Sequence, residues 1–307
     1  MASEHLIHIG YPKAGSTFLQ AWFERHPELC YQPGGIGGFR DVYELARPSE
    51  RRCRYFVTSY EGLSTPQKSA GDVNLFYGGA EADLDDRRRE SQAGVCSLLK
   101  SLFPHSRILI VTRGFQGMIL SGYSQYIRMG GRLQLKAMCG ELADHLRNDT
   151  LHFYDLDDLI ELYRKEFGEE NVIVLPFELL RDDEENFLLV LEERLGLKHI
   201  GIKLGRVNPS LSPEELYWYP LISRTVSAMA SRLGPERFKR VYRWYISKTM
   251  ENRLRGAIRL VSKFRPSARI TEDDFPSEVL EHCRGKAAQI CKQPLYEPYG
   301  DEYLRDG

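Results

Sequence analysis

Leu6-Ile7-His8-Ile9-Gly10-Tyr11-Pro12-Lys13-Ala14-Gly15-Ser16-Thr17-Phe18-Leu19-Gln20 is the stretch that decides the fold. Its first residues form a short apolar run that predicts a buried strand, and the glycines and proline that follow predict a tight loop. Ser16 and Thr17 favour a helix start, and apolar residues then recur at helical spacing. In a strand, loop and helix in this order, the backbone N–H groups of the loop and the positive end of the helix dipole face the same point. The stretch therefore predicts an anion site.

The loop differs from the standard nucleoside-triphosphate loop, in which Lys stands directly before Ser or Thr. Gly10 and Gly15 have the expected separation, but Lys13 lies inside the loop and Ser16 takes the usual Lys place. In the standard loop the Ser or Thr hydroxyl next to the Lys binds magnesium, and in this loop no Ser or Thr follows the Lys directly. The loop thus favours an anion that needs no metal, and the alternative is an ordinary strand-to-helix turn capped by Ser16.

Length and composition restrict the class of protein. The chain has 307 residues, a net charge of −1 and 42% hydrophobic residues, which predicts a globular protein without a general affinity for nucleic acid. The six cysteines are scattered without a C-x-x-C pair, so we expect no zinc site, no disulfide framework and a reducing compartment. No signal peptide or membrane span is visible, and we expect a cytoplasmic protein.

Three more apolar segments predict strands, at 55–59, 107–113 and 171–176, with helical patterns between them. This alternation predicts a mostly parallel sheet between helices, an α/β fold with three layers. Beyond residue 200 the pattern becomes helical and ends in a predicted helix over 278–290. We therefore expect a core over 1–200 and a helical extension over 201–307. The extension is expected to pack on the core and to contribute to a ligand-binding site.

A second anchor stands at the end of the third predicted strand. Arg113 ends that strand, and Ser121 follows about two turns into the next helix. Ligands of open parallel sheets bind at the carboxyl ends of the strands. Arg113 can grip one phosphate as a bidentate fork while Lys13 and its loop hold another. Two such sites suit a nucleotide with phosphates on its 3′ and 5′ sides.

The two motifs together resemble the sulfotransferases that use 3′-phosphoadenosine 5′-phosphosulfate (PAPS). Residues 11–19 resemble the family's 5′-phosphosulfate loop, and Arg113 through Ser121 resemble its 3′-phosphate motif. Phe177-Glu178-Leu179-Leu180, after the last predicted strand, resembles a further family feature with a structural role. The resemblance covers about residues 5–200, in the soluble bacterial type.

The resemblance implies a P-loop-like α/β/α fold and transfer of a sulfuryl group to an acceptor hydroxyl or amine, without a metal. Lys13 would neutralise charge on the leaving phosphate oxygen, and Arg113 and Ser121 would hold the 3′ phosphate. The 5′ phosphate would be bound by Ala14, Gly15, Ser16, Thr17 and Phe18.

The acceptor needs a general base, and the resemblance implies a position just after the second predicted strand, where this chain has Glu61. Asp41 and Glu44 are the alternatives, because the resemblance to some glycan sulfotransferases implies a base before the second strand. His8 lies within the first strand and is expected to be a core residue. Asn208 and Ser210 could close over the donor. We expect a carbohydrate acceptor, with a lipid or natural-product hydroxyl as second choice, and specificity from residues 33–38, 62–90 and the C-terminal helices.

Two other functions remain open. A small-molecule or nucleotide kinase would need magnesium and a metal-binding acid after a strand, whereas the third strand ends in Thr112-Arg113. A non-catalytic nucleotide- or glycan-binding protein could keep the fold without transfer. The basic stretch 232–269 could be a solvated helix surface, attract an anionic ligand or face nucleic acid, and oligomeric state is not indicated.

Overall fold

The computed structural model describes residues 4–11, 13–31, 53–64, 88–147, 154–202, 204, 211–271 and 274–304. Within these residues five parallel strands form one sheet in the order β2-β3-β1-β4-β5. The strands are β1 (Glu4–His8), β2 (Leu29–Tyr31), β3 (Tyr55–Ser59), β4 (Arg107–Thr112) and β5 (Val172–Pro176). The prediction of an α/β fold with a parallel sheet is confirmed.

The described helices surround this sheet and continue beyond it. The first seven are α1 (Ser16–Arg25), α2 (Arg88–Leu102), α3 (Phe115–Arg128), α4 (Leu135–Arg147), α5 (Leu156–Phe167), α6 (Phe177–Asp182) and α7 (Glu184–Leu195). The later ones are α8 (Pro213–Ala230), α9 (Pro235–Met250), α10 (Arg255–Phe264) and α11 (Ser277–Glu281). Short 3-10 helices cover Glu61–Leu63, Glu169–Asn171, Ser231–Leu233, Ile290–Lys292 and Pro294–Tyr303.

Two histidines of β1 show that helices cover both faces of the sheet. Side chains alternate between the faces of a strand, so His5 and His8 point in opposite directions. His8 packs against Phe23 of α1, with ring centroids 5.9 Å apart, and His5 packs against Phe103, just after α2, at 4.4 Å. Helix α5 packs on α2. These contacts confirm the predicted three-layer arrangement.

The central strand β1 lies where the strand order reverses. It pairs with β3 on one side and β4 on the other, in the registers His8↔Ser59 and His8↔Leu109. The chain leaves β1 toward the β2 edge and leaves β4 toward the β5 edge. The crevice outside the carboxyl ends of β1 and β4 is therefore the position where open α/β sheets bind ligands.

One strand was not predicted, and one predicted helix is wrong. Residues 29–31 form an edge strand that the sequence analysis did not assign, because three residues are too few to show a periodic pattern. The predicted helix over 278–290 is interrupted: α11 ends at Glu281, and Gly285 has a left-handed φ of 80°. Turns follow until the 3-10 helix that starts at Ile290.

The C-terminal 3-10 helix (Pro294–Tyr303) covers the end of β4. The hydroxyls of Tyr296 and Tyr303 lie 2.7 and 3.0 Å from Thr112 Oγ1, and all three residues are buried. Since Arg113 follows Thr112 directly, this contact fixes the backbone from which Arg113 projects.

The chain after residue 210 is helical, as predicted. Helix α8 begins with a capping box, in which the Ser212 hydroxyl accepts from the Glu215 N–H and the Glu215 carboxylate accepts from the Ser212 N–H. Helix α8 packs against α3, and α9 and α10 both pack on α8. All six cysteines lie in the described ranges, and no disulfide joins any of them. None of the helices in the described ranges is long and apolar enough to span a bilayer.

We expect acid to destabilise the fold through His5 and His8. Burial lowers the pKa of His5 to about 4 and that of His8 to about 3. Below pH 6.5 both histidines are protonated in the unfolded chain but remain neutral in the folded chain. The free energy of unfolding therefore has its full value above pH 6.5 and decreases as the pH falls toward the folded-state pKa values. The free energy of unfolding, measured with urea, should fall by about 2 kcal/mol per histidine between pH 6.5 and 5.

The double variant His5→Asn/His8→Asn provides the control, since Asn is polar but does not titrate. It should lose markedly less stability over the same pH interval than the wild type. An equal loss in the two proteins would show that other groups cause the acid sensitivity.

Candidate active site

The loop between β1 and α1 is held in a strained conformation. Lys13 has a φ of 69° and Gly15 a φ of 83°, both in the left-handed region, which costs a non-glycine residue about 1–3 kcal/mol. A Cβ atom on Gly15 would lie 2.9 Å from Leu180 Cδ2 and 3.2 Å from the Phe177 ring. Position 15 thus requires glycine for its backbone conformation and for its close approach to α6.

The start of α1 presents four unpaired backbone donors. Helix α1 has no side-chain cap, and its first bond across the boundary runs from Leu19 N–H to Gly15 C=O, 3.1 Å. Within the described residues no acceptor is found for the N–H groups of Gly15, Ser16, Thr17 and Phe18. Such a group of N–H donors at the positive end of a helix forms an anion site.

A second set of unpaired atoms lies beneath this loop. Ser16 Oγ and His8 Nε2 are buried and find no hydrogen-bond partner among the described residues, and they lie 3.0 and 2.7 Å from where a Gly10 Cβ would be. The other nitrogen of the imidazole, His8 Nδ1, lies 2.8 Å from Ser59 Oγ. His8 is therefore a core residue, as expected, but only one of its nitrogens is bonded. Ser16 turns its hydroxyl inward in this arrangement.

Arg113 contacts Lys13 directly. Its Nη1 donates to the Lys13 carbonyl at 2.6 Å, and its guanidinium carbon lies 4.5 Å from the centre of the Phe177 ring. Burial lowers the pKa of Arg113, and the nearby Glu178 carboxylate opposes that shift. The two predicted anchors, which are far apart in sequence, thus meet in one crevice.

Glu178 fixes the turn that follows Arg113. The buried carboxylate accepts from Gly114 N–H at 3.0 Å and from the Tyr303 hydroxyl at 2.7 Å. Burial raises the pKa of Glu178, and these two hydrogen bonds oppose the shift. A Cβ on Gly114 would lie 2.7 Å from Glu302 Cβ, so this position also needs glycine.

Helix α3 presents one face along this crevice. Gly117, Ser121 and Gln125 are spaced four residues apart and therefore share a face. A Cβ on Gly117 would lie 3.1 Å from Arg113 Nε, and Lys13 Nζ donates to Gln125 Oε1 at 2.8 Å. Arg113 thus lies beside Gly117 and the Lys13 ammonium beside the Gln125 side chain, and these two positions of α3 are about 12 Å apart along the helix axis.

Ser121 lies midway on this face, half-buried. Gln125 was not identified from the sequence, although its position four residues after Ser121 was a usable signal.

Glu61 lies in the 3-10 helix directly after β3, close enough to affect Lys13. Burial lowers the pKa of Lys13, the Glu61 carboxylate opposes that shift, and Arg128 and Arg113 reinforce it. Glu61 is held near β1 because Tyr60 N–H donates to the His8 carbonyl at 3.1 Å and Ser64 Oγ donates to the Gly10 carbonyl at 2.8 Å. The structure therefore brings Lys13, Arg113 and Glu61 to the same edge of the sheet.

Some predicted residues lie outside the described ranges. These are Asp41, Glu44, Asn208, Ser210, the loop 33–38 and residues 65–87 of the predicted specificity segment 62–90. In the part of the chain that is described, no group of three or more His, Cys, Asp or Glu side chains could hold a metal ion.

The chain was compared with known proteins. No protein-family model and no curated protein matches it. A solved sulfotransferase from Alicyclobacillus acidocaldarius aligns over 78% of this chain and 100% of its own, with 15% identity and a TM-score of 0.45. Mouse sulfotransferase SULT7A1 complexed with PAP aligns over 87% of this chain and 90% of its own, with 14% identity and a TM-score of 0.39. These values are too low to support an assignment of function.

Proposed function

We propose that this protein is a sulfotransferase that moves a sulfuryl group from PAPS to an acceptor hydroxyl or amine. The observation that carries the proposal is that the Arg113 guanidinium, the backbone of the Lys13 loop and a set of N–H donors without an acceptor among the described residues lie together at the switch point of the sheet. Lys13 and Arg113 approach each other there, at 2.6 Å from guanidinium to backbone carbonyl. Two neighbouring anion sites suit a donor with phosphates at both ends of its ribose.

Each anion site has its own donors. The N–H groups of Gly15 through Phe18 would bind the 5′ phosphate, together with the Thr17 hydroxyl. The Ala14 N–H, which was also expected to bind it, donates to the Tyr11 carbonyl at 3.2 Å. The Ser16 hydroxyl would need to change rotamer to take part, because it is buried in the described conformation. Arg113 and Ser121 would hold the 3′ phosphate. The Lys13 carbonyl accepts from a single N–H group of the Arg113 guanidinium, so the guanidinium keeps other donors for the phosphate.

The proposed reaction is an in-line displacement at sulfur. The acceptor oxygen forms a new S–O bond while the S–O bond to the 5′ phosphate breaks, and 3′-phosphoadenosine 5′-phosphate leaves with the electron pair. Lys13 would neutralise the charge that develops on the leaving oxygen. Electrostatic stabilisation of this kind is usually the largest single contribution to the rate enhancement of an enzyme. Glu61 would take the acceptor proton.

The remaining assignments belong to the same proposal. A carbohydrate hydroxyl is the first acceptor to test, followed by a lipid or natural-product hydroxyl. The catalytic core would comprise residues 1–200, and the extension over 201–307 would contribute to the acceptor site. Its contacts support that role, because α8 packs against α3, the helix that carries Ser121 and Gln125. We keep the cytoplasm as the proposed compartment.

Binding of the product nucleotide without a metal tests the proposal. 3′-Phosphoadenosine 5′-phosphate in the presence of EDTA should raise the melting temperature, because it binds the folded state only; at a hundredfold excess over Kd the stabilisation is about 2.7 kcal/mol. Radiolabelled PAPS should then transfer its label to a hydroxyl acceptor. Stabilisation by ATP with magnesium, and none by the bisphosphate, would favour a kinase instead. Binding without any transfer would favour a non-catalytic binding protein.

We expect Arg113→Ala to raise the Kd for the bisphosphate about a hundredfold, corresponding to about 2.7 kcal/mol, because it removes a charged fork from the 3′ phosphate. Calorimetric titration measures this change. Arg113→Lys should recover part of the affinity, since it restores the charge without the fork. The exposed Arg243 of α9 provides the control: Arg243→Ala should bind as the wild type does. Wild-type affinity in Arg113→Ala would remove Arg113 from the site.

We expect Gln125→Glu to weaken bisphosphate binding about tenfold, because the new carboxylate would neutralise the Lys13 ammonium and repel the phosphate. Gln125→Met, which has a similar size and no charge, should bind more tightly than Gln125→Glu. Salt screens charge repulsion, so the difference between the two variants should shrink as ionic strength rises. Equal affinity of the two variants at low salt would contradict a role of Gln125 beside the bound anion.

A further inference from the structure

Positive charge is concentrated in one helical segment. Residues 235–269, which include α9 and α10, contain eleven Lys and Arg against two Glu, a net charge of +9. The whole chain has a net charge of −1, so the remaining residues carry −10. Such a separation of charge indicates a surface for an anionic partner.

Helix α10 turns most of its apolar side chains toward solvent. It is anchored through Ile258, which is 3% exposed, and through Arg255, whose Nε lies 2.8 Å from Glu215 Oε1 of α8. Phe264 and Leu260, in contrast, are 81% and 59% exposed. They are rotated about 120° and 160° away from Ile258 around the helix axis.

Basic side chains border this apolar surface. Arg259 and Lys263 are exposed and four residues apart, so they share a face, and Lys263 lies between Arg259 and Leu260 around the helix. Val261 adds a further apolar side chain that is 44% exposed. A helix with a basic edge and an exposed face of Phe, Leu and Val has the composition of helices that lie in the interface of a bilayer.

Helix α9 repeats this combination. Trp244 and Met250 are 63% and 46% exposed, and Arg240 and Arg243 are exposed on the same side of the helix. Tryptophan prefers the boundary between headgroups and acyl chains, because its ring is apolar and its N–H is polar.

We propose that α9 and α10 bind the surface of an anionic lipid bilayer. The charge of +9 on the segment opposes contact with a second copy of the same surface. A nucleic acid or soluble polyanion would satisfy the Arg and Lys residues but would leave Phe264 and Leu260 in water. An anionic bilayer satisfies both, because its surface potential attracts the basic side chains and the apolar side chains enter the acyl boundary.

The proposed membrane surface is linked to the candidate active site. Arg255, at the start of α10, bonds Glu215 of α8. Burial lowers the pKa of Arg128 at the end of α3, and the charge of Glu215 opposes that shift. Arg128 in turn acts electrostatically on Lys13. The proposal itself does not depend on sulfuryl transfer.

Co-sedimentation of the full chain with vesicles tests the proposal. The wild type should sediment with vesicles of equal parts phosphatidylglycerol and phosphatidylcholine, remain in solution with pure phosphatidylcholine, and dissociate as salt rises. Leu260→Ser/Phe264→Ser should bind at least tenfold more weakly, and Arg259→Gln/Lys263→Gln about tenfold more weakly. Leu98→Ser removes a side chain that is 57% exposed on α2 and provides the matched control, which should bind as the wild type does.

All of these side chains are exposed, so the urea unfolding midpoints of the variants should match that of the wild type, and this measurement separates lost binding from lost folding. Two results would overturn the proposal. One is a wild type that stays in solution with anionic vesicles at low salt. The other is unchanged binding by Leu260→Ser/Phe264→Ser, together with equally tight binding to dextran sulfate, which would identify a soluble polyanion as the partner.

Discussion

Replacing Lys13 with methionine should lower the rate of sulfuryl transfer by about 10³–10⁵-fold, the range found for a cation that meets the transition-state charge of a transferring phosphoryl group. The ammonium is positioned for this role by Gln125 Oε1 at 2.8 Å, and the backbone of Lys13 is fixed by Arg113 at 2.6 Å. Methionine has a similar length and no charge, so the variant removes the cation and keeps the loop. Single-turnover transfer from labelled PAPS measures the effect.

The affinity of this variant for the bisphosphate separates chemistry from binding. Because the N–H groups of α1 and the Arg113 fork remain, the Kd should rise no more than about tenfold. Lys239→Met is the matched control, since Lys239 is an exposed residue of α9 that pairs with Glu236 at 3.4 Å. If Lys13→Met transferred sulfuryl groups at the wild-type rate, Lys13 would not neutralise the leaving oxygen.

Glu61→Gln should lower kcat by about 10²–10⁴-fold, which is the usual contribution of a positioned general base. Glutamine keeps the shape of the side chain and cannot accept the acceptor proton. The affinity for the bisphosphate should remain close to that of the wild type, because Glu61 is assigned no contact with either phosphate. An acceptor that is already ionised at the assay pH should recover most of the lost rate, since it needs no base.

Two alternative bases can be tested in the same assay. Asp41→Asn and Glu44→Gln should retain most of the activity if Glu61 is the base, and the exposed Glu161→Gln on α5 controls for loss of a surface carboxylate. A large loss in Asp41→Asn or Glu44→Gln, with an active Glu61→Gln, would move the base to the segment before β3.

The sequence predicted those elements whose signal is local. The apolar run of β4 and the loop from Gly10 to Gly15 are recognisable because burial and backbone conformation restrict each residue directly. The contact between Lys13 and Arg113 could also be predicted, since parallel strands bring their carboxyl ends to one edge. β2 escaped prediction because it is short, and the C-terminal 3-10 helix escaped because its prolines and tyrosines follow no single period.

The supporting contacts of the site could not be predicted in the same way. Glu178 acts on Gly114 and Tyr303 through hydrogen bonds that span 64 and 125 positions of the chain. Their geometry arises only when α6 and the C-terminal 3-10 helix pack against the end of β4. The segment Phe177-Glu178-Leu179-Leu180 was predicted to have a structural role. In the structure it contacts Gly15, Arg113 and Gly114.

A crystal structure with 3′-phosphoadenosine 5′-phosphate, grown without divalent metal, tests the central claim most directly. The proposal predicts one phosphate within hydrogen-bond distance of the N–H groups of Gly15 through Phe18, and the other on the Arg113 guanidinium and the Ser121 hydroxyl. The Lys13 ammonium should then lie beside the 5′ phosphate. A nucleotide bound away from the carboxyl ends of β1 and β4, or held with only one phosphate in this crevice, would contradict it.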